Sequence, residues 1–343
     1  MKSIFFTLGI AAAVFACSHD GPAPATGRAF EEVFQETGVV RLVENPRDPI
    51  IDVPQLAFAK DGRIAFADRR ANRVRVFARS GESVGDVGRM GDGPGEFRSP
   101  SGVAFDSAGG LAVADSKGRI TRFSAGLQLD TVFQMDGVAA GLLALPDDRL
   151  LVHMLRRAAP MLDIVSMHGK VLGSFHTIDP LVNEVPYWIS ASIERIAVGD
   201  TLVLAADNLV CPIHAYDTSG HTLGTFGQPP RSWRQAERLR RGEFVDQNLT
   251  RWEAWLRTFT QISGLGVLAN GGIVVVHGQY APSRRDRWAV EDYALDLYDG
   301  NGVKRLEDVP VPGRFVGVDG GTPYFMVSEP PEGWVVKGYS LRR

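Results

Sequence analysis

The amino-acid sequence predicts an all-β fold, a six-bladed β-propeller with a short helical insertion between blades 4 and 5. Three observations carry that expectation. A strand–turn–strand unit recurs six times, the copies continue into further strands, and the last copy lacks one strand that the segment before the first copy can supply.

The first copy is Leu56-Ala57-Phe58, a turn at Lys60-Asp61-Gly62, and Ile64-Ala65-Phe66-Ala67-Asp68. The second repeats it over residues 103–105, 107–110 and 111–115. Further copies span 142–152 with a turn at Pro146-Asp147-Asp148, 196–204 with Gly199-Asp200, 267–276 with Asn270-Gly271-Gly272, and 315–327 with Asp319-Gly320-Gly321. Asp-Gly and Asn-Gly between apolar runs accept positive φ, which tight hairpin turns require. A third strand then leads to Ser80-Gly81, His168-Gly169, Ser219-Gly220 or Asp299-Gly300, and a fourth follows, as in 171–175 and 222–226. The second strands are apolar on both faces, as a sheet held between two others must be. In the first two copies one face is large (Ile64, Phe66; Leu111, Val113) and the other is alanine, a wall that suits close sheet stacking. The sixth copy offers only three strands, near 314–318, 322–327 and 334–341. Residues 36–43 precede the first copy without a partner there and are assigned as the outer strand of blade 6, since an unclosed ring leaves bare sheet edges.

Ahead of the repeats, Met1-Lys2-Ser3 is followed by 13 apolar residues, 4–16. That run is too short to span a bilayer, which takes about 20 residues, and fits the apolar region of an export signal. Val14-Phe15-Ala16-Cys17 resembles a bacterial lipobox. The resemblance implies cleavage before Cys17 and a thioether-linked diacylglycerol on its sulfur. Ser18, rather than Asp, points to the outer membrane, facing the periplasm or the surface. The expected organisation is a lipoprotein signal peptide at 1–16, a tether at 17–29, and the propeller at 30–343 with its insertion at 231–261. The membrane is then one partner, through the anchor at Cys17. No later run reaches 18 apolar residues.

Composition excludes several classes. A formal net charge of −3 over 343 residues leaves no general basic footprint for nucleic acid, and export conflicts with that partner too. Two cysteines exclude a disulfide scaffold and a Cys-rich zinc module. Basic charge is nevertheless lopsided, with 31 Arg against 6 Lys.

Gly91-Asp92-Gly93-Pro94-Gly95-Glu96-Phe97, then Pro100-Ser101-Gly102-Val103-Ala104-Phe105-Asp106, Val113-Ala114-Asp115 and Arg119-Ile120, resembles an NHL repeat. Ala67-Asp68 with Asn72-Arg73-Val74-Arg75-Val76-Phe77 is a second match. The resemblance implies a six-bladed propeller of the NHL/TolB-like kind, akin to the 6-bladed propeller lipoproteins. It implies no single activity, since NHL-like propellers include ligand-binding scaffolds, RNA binders, a zinc-dependent amidating lyase and relatives of calcium-dependent lactonases.

Asp68 and Asp115 close their second strands. They read either as carboxylates at the channel mouth or, preferably, as caps of their own turns paired with Arg73 and Arg119. A catalytic zinc needs three converging ligands. His19, His168 and His221 lie in the tether or at outer turns. His277 aligns with Asp68, His153 with Ala67, and His214 falls in a third strand, so no trio and no cofactor are expected. Ser101, Ser192, Ser263 and Glu194 stand where a calcium propeller places oxygen ligands, without a carboxylate cluster. In the insertion, Ser232 and Gln235 resemble a capping box. Leu249, Trp252, Leu256 and Phe259 fall on one helical stripe, fit to cover an apolar surface as decoration or as a lid.

The two faces of the disc are expected to differ in charge. Short turns at Asp61, Asp106, Asp147, Asp148, Asp200, Asp217, Asp299 and Asp319 share one face. The longer loops on the other carry Arg69, Arg70, Arg89, Arg98, Arg156, Arg157, Arg284, Arg285 and Arg287. Candidate ligand-binding residues are Arg156, Arg157, Arg284, Arg285 and Arg287, whose forks grip anions bidentately, with Trp233, Trp252, Trp288 and Tyr280 as stacking surfaces. The expected function is a binding scaffold for a protein, glycan or anionic small molecule. The rival is a lyase or hydrolase with its site at the channel mouth.

Overall fold

Six four-stranded antiparallel sheets make up the structure, a computed structural model that describes residues 24–51, 53–156, 160–179, 194–207, 211–235, 254–281 and 290–342, with the backbone alone at 194–195, 280 and 290–291. A single helical turn, α1 (Phe30–Val33), leads into β1 (Phe34–Arg41). Blade 1 is β2 (Ala57–Phe58), β3 (Ile64–Asp68), β4 (Arg73–Phe77) and β5 (Ser83–Val87). Blade 2 is β6 (Pro100–Phe105), β7 (Leu111–Asp115), β8 (Arg119–Phe123) and β9 (Leu129–Gln134). Blade 3 is β10 (Val138–Ala144), β11 (Leu150–Leu155), β12 (Leu162–Val165) and β13 (Val171–Phe175). Blade 4 is β14 (Glu194–Val198), β15 (Val203–Asp207), β16 (Ile213–Tyr216) and β17 (Thr222–Phe226). Blade 5 is β18 (Thr260–Val267), β19 (Ile273–Tyr280), β20 (Val290–Tyr298) and β21 (Lys304–Pro310).

Blade 6 is closed by the two ends of the chain. Its inner strands β22 (Arg314–Asp319), β23 (Thr322–Ser328) and β24 (Val335–Leu341) come last in sequence, and β1 adds outside β24 in antiparallel register, Phe34 opposite Leu341 and Arg41 opposite Val335. Phe30, Val33 and Phe34 are buried against Phe325 and Tyr339, so apolar burial reinforces the strand pairing. Upstream, Ala25 forms a parallel bridge to Leu306. Its N–H donates to Arg305 O at 3.1 Å and its carbonyl accepts from Glu307 N at 3.1 Å, which fastens this point of the chain to the rim of blade 5.

The alternation of large and small residues in the second strands sets how blades stack. Ile64 and Phe66 face blade 6, against Val316, Tyr324, Met326 and Val336. Ala65 and Ala67, on the opposite face of the same strand, receive Phe105, Leu111 and Val113 of blade 2. Ala112 and Ala114 in turn receive Leu142, Leu150 and Val152 of blade 3. At the blade 1–2 and blade 2–3 contacts a bulky face thus beds into an alanine face, which lets the sheets approach closely. Gly102 on β6 marks a close approach of blades 2 and 3: a Cβ there would lie 2.3 Å from the backbone nitrogen of Leu142.

The Gly91 to Gly95 stretch is a loop joining blades 1 and 2, and Arg119 holds it. Its guanidinium donates to the carbonyls of Asp92 at 2.6 Å and Glu96 at 2.7 Å, and more weakly to those of Gly91 and Gly93. The same group donates to Asp115 Oδ2 at 2.9 and 3.2 Å. The glycines let four carbonyls turn toward one planar fork. In the expected insertion between blades 4 and 5, a further helical turn stands at 254–256, and Leu256 and Phe259 of the predicted stripe are buried. Residues 236–253, including Leu249 and Trp252, lie outside the described residues.

Candidate functional site

The six inner strands enclose a cavity of about 180 Å³ on the axis. Phe58, Val103, Leu143, Val198, Leu265 and Val318 contribute to its wall, and Gln55 is the one polar side chain among the residues lining it. Among the described residues, the buried acid–base groups lie elsewhere in the blades.

On the second or third strand, each of blades 1 to 5 buries an aspartate beside a basic partner. Asp68 accepts from Arg75 Nε at 3.1 Å and from the backbone N–H of Ile51 at 3.2 Å. Asp115 accepts from Arg119 and from the N–H groups of Arg98, Lys117 and Arg119. Asp163 takes a two-pronged contact from Arg156, 2.8 and 2.7 Å, and a third from Ser174 Oγ at 2.7 Å. Asp207 accepts from Asp179 N–H at 2.8 Å and faces His176 Nε2 at 3.7 Å. Asp296 faces His277 Nε2 at 3.4 Å and is ion-paired to Lys304 at 2.7 Å. Three of these carboxylates bind the N–H of the incoming blade-to-blade connection, so the belt ties the connections to the sheets. The preferred reading of Asp68 and Asp115 therefore holds, with one correction. Asp68 pairs with Arg75, whereas Arg73 is drawn to Asp48 and Asp86. Arg73 stands directly across from Asp68, but the neighbouring acids on the other side take its guanidinium.

Blades 4 and 5 replace guanidinium by imidazole. His176 Nδ1 contacts Tyr216 Oη at 2.9 Å, and its ring lies 5.1 Å from that of His214. Burial, with His176 alongside, holds His214 below the usual imidazole range. In blade 5 the register shifts by one residue between β20 and β21, so that Glu307 and Asp308 together oppose Asp296. This bulge places Asp308 at φ 56° and turns its carboxylate inward, 3.7 Å from His277 Nε2. His277, Asp296 and Asp308 form a group able to hold a metal ion, which spacing in the sequence did not disclose. Lys304 and Arg231 pair with Glu307 beside it, and Ser232 donates its N–H and hydroxyl to Asp308. Burial opposes ionisation of Asp296, but the hydrogen bond and charge of His277 and the nearby Lys304 ammonium outweigh it and hold its carboxyl below the usual range.

The remaining expected site residues divide clearly. Arg156 is committed to Asp163, and Trp233 packs partly buried over His277, ring centroids 6.4 Å apart. His153 lies opposite Leu162 in the register position of Ala67, as expected, and is buried. Ser101 and Ser263 spend their hydroxyls on the carbonyls of Ala139 and Val276. Cys17, Arg157, Ser192, Trp252, Arg284, Arg285, Arg287 and Trp288 lie outside the described residues, as does the side chain of Tyr280.

The expected charge contrast between faces needs correcting. Asp61 pairs with Arg63, Asp106 with Arg122, Asp147 with Arg149, Asp299 with Arg305, and Asp319 with Arg79, each within 3.2 Å. The turns are therefore largely neutralised. In Asp61-x-Arg63 and Asp147-x-Arg149 the arginine two residues on directly precedes the next strand and pairs back with the turn aspartate. On the other face Arg89 and Arg98 are likewise paired, with Glu96 and Asp92.

Six four-stranded sheets around an axial cavity, a belt of buried ion pairs and closure by the N-terminal strand define a six-bladed β-propeller protein. Residues 25–164 match the family described as 6-bladed beta-propeller. No curated protein matches the chain. Among solved structures, a Bacteroides fragilis protein described as exported is similar over 93% of this chain and 98% of its own, at 12% identity and a TM-score of 0.63. A member of the DUF4221 family from Bacteroides vulgatus is similar over 91% and 99%, at 8% identity and 0.64. Virginiamycin B lyase from Staphylococcus aureus is similar over 84% and 80%, at 14% identity and 0.51. At these identities the likeness is one of fold.

Proposed function

We propose that this chain is an exported, lipid-anchored propeller that serves as a binding scaffold, taking up a protein, glycan or anionic small molecule on its loop-rich face. The observation that carries the reading is the side-chain lining of the axial cavity, apolar at every residue except Gln55, with no acidic or basic side chain among those lining it. A hydrolase or lyase centred on the axis needs acid, base or metal ligands pointing into that space. Here the buried carboxylates instead hold connections in place, as the belt residues Asp68, Asp115 and Asp207 do. The export reading draws on the signal-like segment ahead of Cys17 and on the similar fold of a protein described as exported. Arg284, Arg285 and Arg287 supply the forks for an anionic group, with Trp288 nearby in sequence.

The test has two arms. Membrane fractionation of the Cys17→Ser chain should move it to the soluble fraction or stop its processing. A chain that stays membrane-bound and normally processed refutes the anchor. A glycan and anionic-metabolite array is then compared between the chain and a variant with Arg284, Arg285 and Arg287 all changed to Ala. Binding lost in the variant at an unchanged melting temperature supports the reading. Equal binding by both chains refutes the assigned face.

A further inference from the structure

We propose that His277, Asp296 and Asp308 form a site for one divalent transition-metal ion, zinc by chemistry, set in blade 5 away from the axial cavity. The three groups come from consecutive strands β19, β20 and β21, so the sheet itself fixes their separation. His277 Nε2 lies 3.4 Å from Asp296 Oδ1 and 3.7 Å from Asp308 Oδ1, and the three ligand atoms all fall within 4.8 Å of one another. Zinc–nitrogen and zinc–oxygen bonds of about 2.0–2.2 Å give a tetrahedron whose edges are roughly 3.3–3.6 Å. Two of the measured separations are thus close to those of a three-ligand site with its fourth position open.

The surroundings fit the same reading. Asp296 is held on its other oxygen by Lys304 Nζ at 2.7 Å, leaving Oδ1 turned toward His277 and Asp308. That oxygen accepts the N–H of Asp308 at 3.1 Å and keeps a second lone pair. Asp308 is oriented by the N–H and hydroxyl of Ser232, the kind of outer hydrogen bond that fixes a metal-binding carboxylate. Charge points the same way. Asp296, Asp308 and Glu307 carry three negative charges, against two positive ones on Lys304 and Arg231. With His277 in the neutral form that metal binding requires, one negative charge remains uncompensated where His277 and Asp308 meet, and a cation there takes the place of the imidazolium proton. The register shift in β21 supplies the geometry, because without the extra residue Asp308 and Glu307 could not both oppose Asp296. Ser232 lies at the start of the insertion between blades 4 and 5, so an ion here would latch that segment to blade 5. The inference does not depend on the ligand-binding proposal.

The experiment uses the full chain without a histidine tag, stripped with chelator and titrated with Zn²⁺ by calorimetry and with Co²⁺ by visible absorption. One equivalent of zinc per chain is expected, together with the intense visible bands of four-coordinate Co²⁺. His277→Gln and Asp308→Asn should each weaken binding by about 100-fold, and Ser232→Ala by roughly 10-fold. Asp308 is half-buried on the outer strand, so its variant should keep a native circular-dichroism spectrum and reports on binding even where His277→Gln unfolds. Absence of stoichiometric zinc overturns the proposal, with the cluster then a hydrogen-bonded ion-pair network only. Stoichiometric binding that survives Asp308→Asn overturns it too, by placing the metal elsewhere.

Discussion

Replacing Arg119 by alanine should cost about 4 kcal/mol, and the structure shows where that cost comes from. The side chain is only 14% exposed and Asp115, its partner, is fully buried. Truncation leaves a buried carboxylate without its counter-charge, which typically costs about 3–5 kcal/mol. It also frees the Asp92 and Glu96 carbonyls, which face guanidinium N–H groups at 2.6 and 2.7 Å. Against this, Asp115 keeps three backbone donors, from Arg98, Lys117 and Arg119, which places the expected loss near the middle of the range. For a chain of this size about 4 kcal/mol lowers Tm by roughly 6 °C. Thermal unfolding of Arg119→Ala, Arg119→Lys and Arg89→Ala makes the assay. Lys keeps the charge but cannot span the loop carbonyls, so it should recover about half of the loss. Arg89 also pairs across this loop, with Glu96, but is 82% exposed, and its removal should change stability by no more than about 0.5 kcal/mol. Hydrogen exchange adds a local readout, since the Gly91 and Phe97 amides that cross-link the loop should lose protection in Arg119→Ala. An Arg119→Ala chain as stable as Arg89→Ala would refute the claim that this guanidinium holds the blade 1–2 connection.

Further expectations follow from the same contacts. Deleting residues 29–43 removes β1 and exposes the partners of Phe30, Val33, Phe34, Val40 and Leu42. At about 1.5–3 kcal/mol each the loss approaches a whole domain's stability, so the product should aggregate or unfold, and a soluble chain of unchanged Tm would contradict closure through β1. Gly102→Ala should destabilise by about 2 kcal/mol in chemical denaturation, because the added carbon meets the blade 3 backbone rather than a movable side chain. Asp48 and Asp296 are held below the usual carboxylate range, chiefly through the Arg73 hydrogen bond for Asp48 and, against burial, through His277 and Lys304 for Asp296. Their stabilising contribution is complete above the ordinary carboxylate pKa and is lost as pH falls through the lowered folded values. Tm should therefore stay level from neutral pH down to about 5 and drop below about 4, with a shallower drop in Asp296→Asn. Burial pushes the Cys211 thiol up to about 12. In a Cys17→Ser background it should react with Ellman's reagent at pH 8 roughly 1,000-fold more slowly than an exposed thiol, and normally once denatured.

The sequence by itself determined the propeller, the number of blades and the means of closure. Those properties rest on local signals: Asp-Gly and Asn-Gly turns that dictate hairpins, period-two alternation, and the alanine faces of Ala65-Ala67 and Ala112-Ala114 that receive the next blade. The match of His277 to Asp68 was also legible, because a strand's register repeats with the blade. What only the tertiary structure decided are the partnerships made sideways. Arg75, rather than Arg73, contacts Asp68, inside a cluster in which both guanidinium groups also meet Asp48 and Asp86 from other elements. The expected acidic face is neutralised by arginines from the same turn, as Arg63 and Arg149, and from other strands or blades, as Arg122 and Arg79. Asp296 and Asp308 join His277 although they lie 19 and 31 positions away, brought together by strand pairing and by a one-residue register shift in β21 that no local motif announces. Turns and alternation are written residue by residue. A site of this kind depends on the register between strands, and the summed packing of the whole blade sets that register.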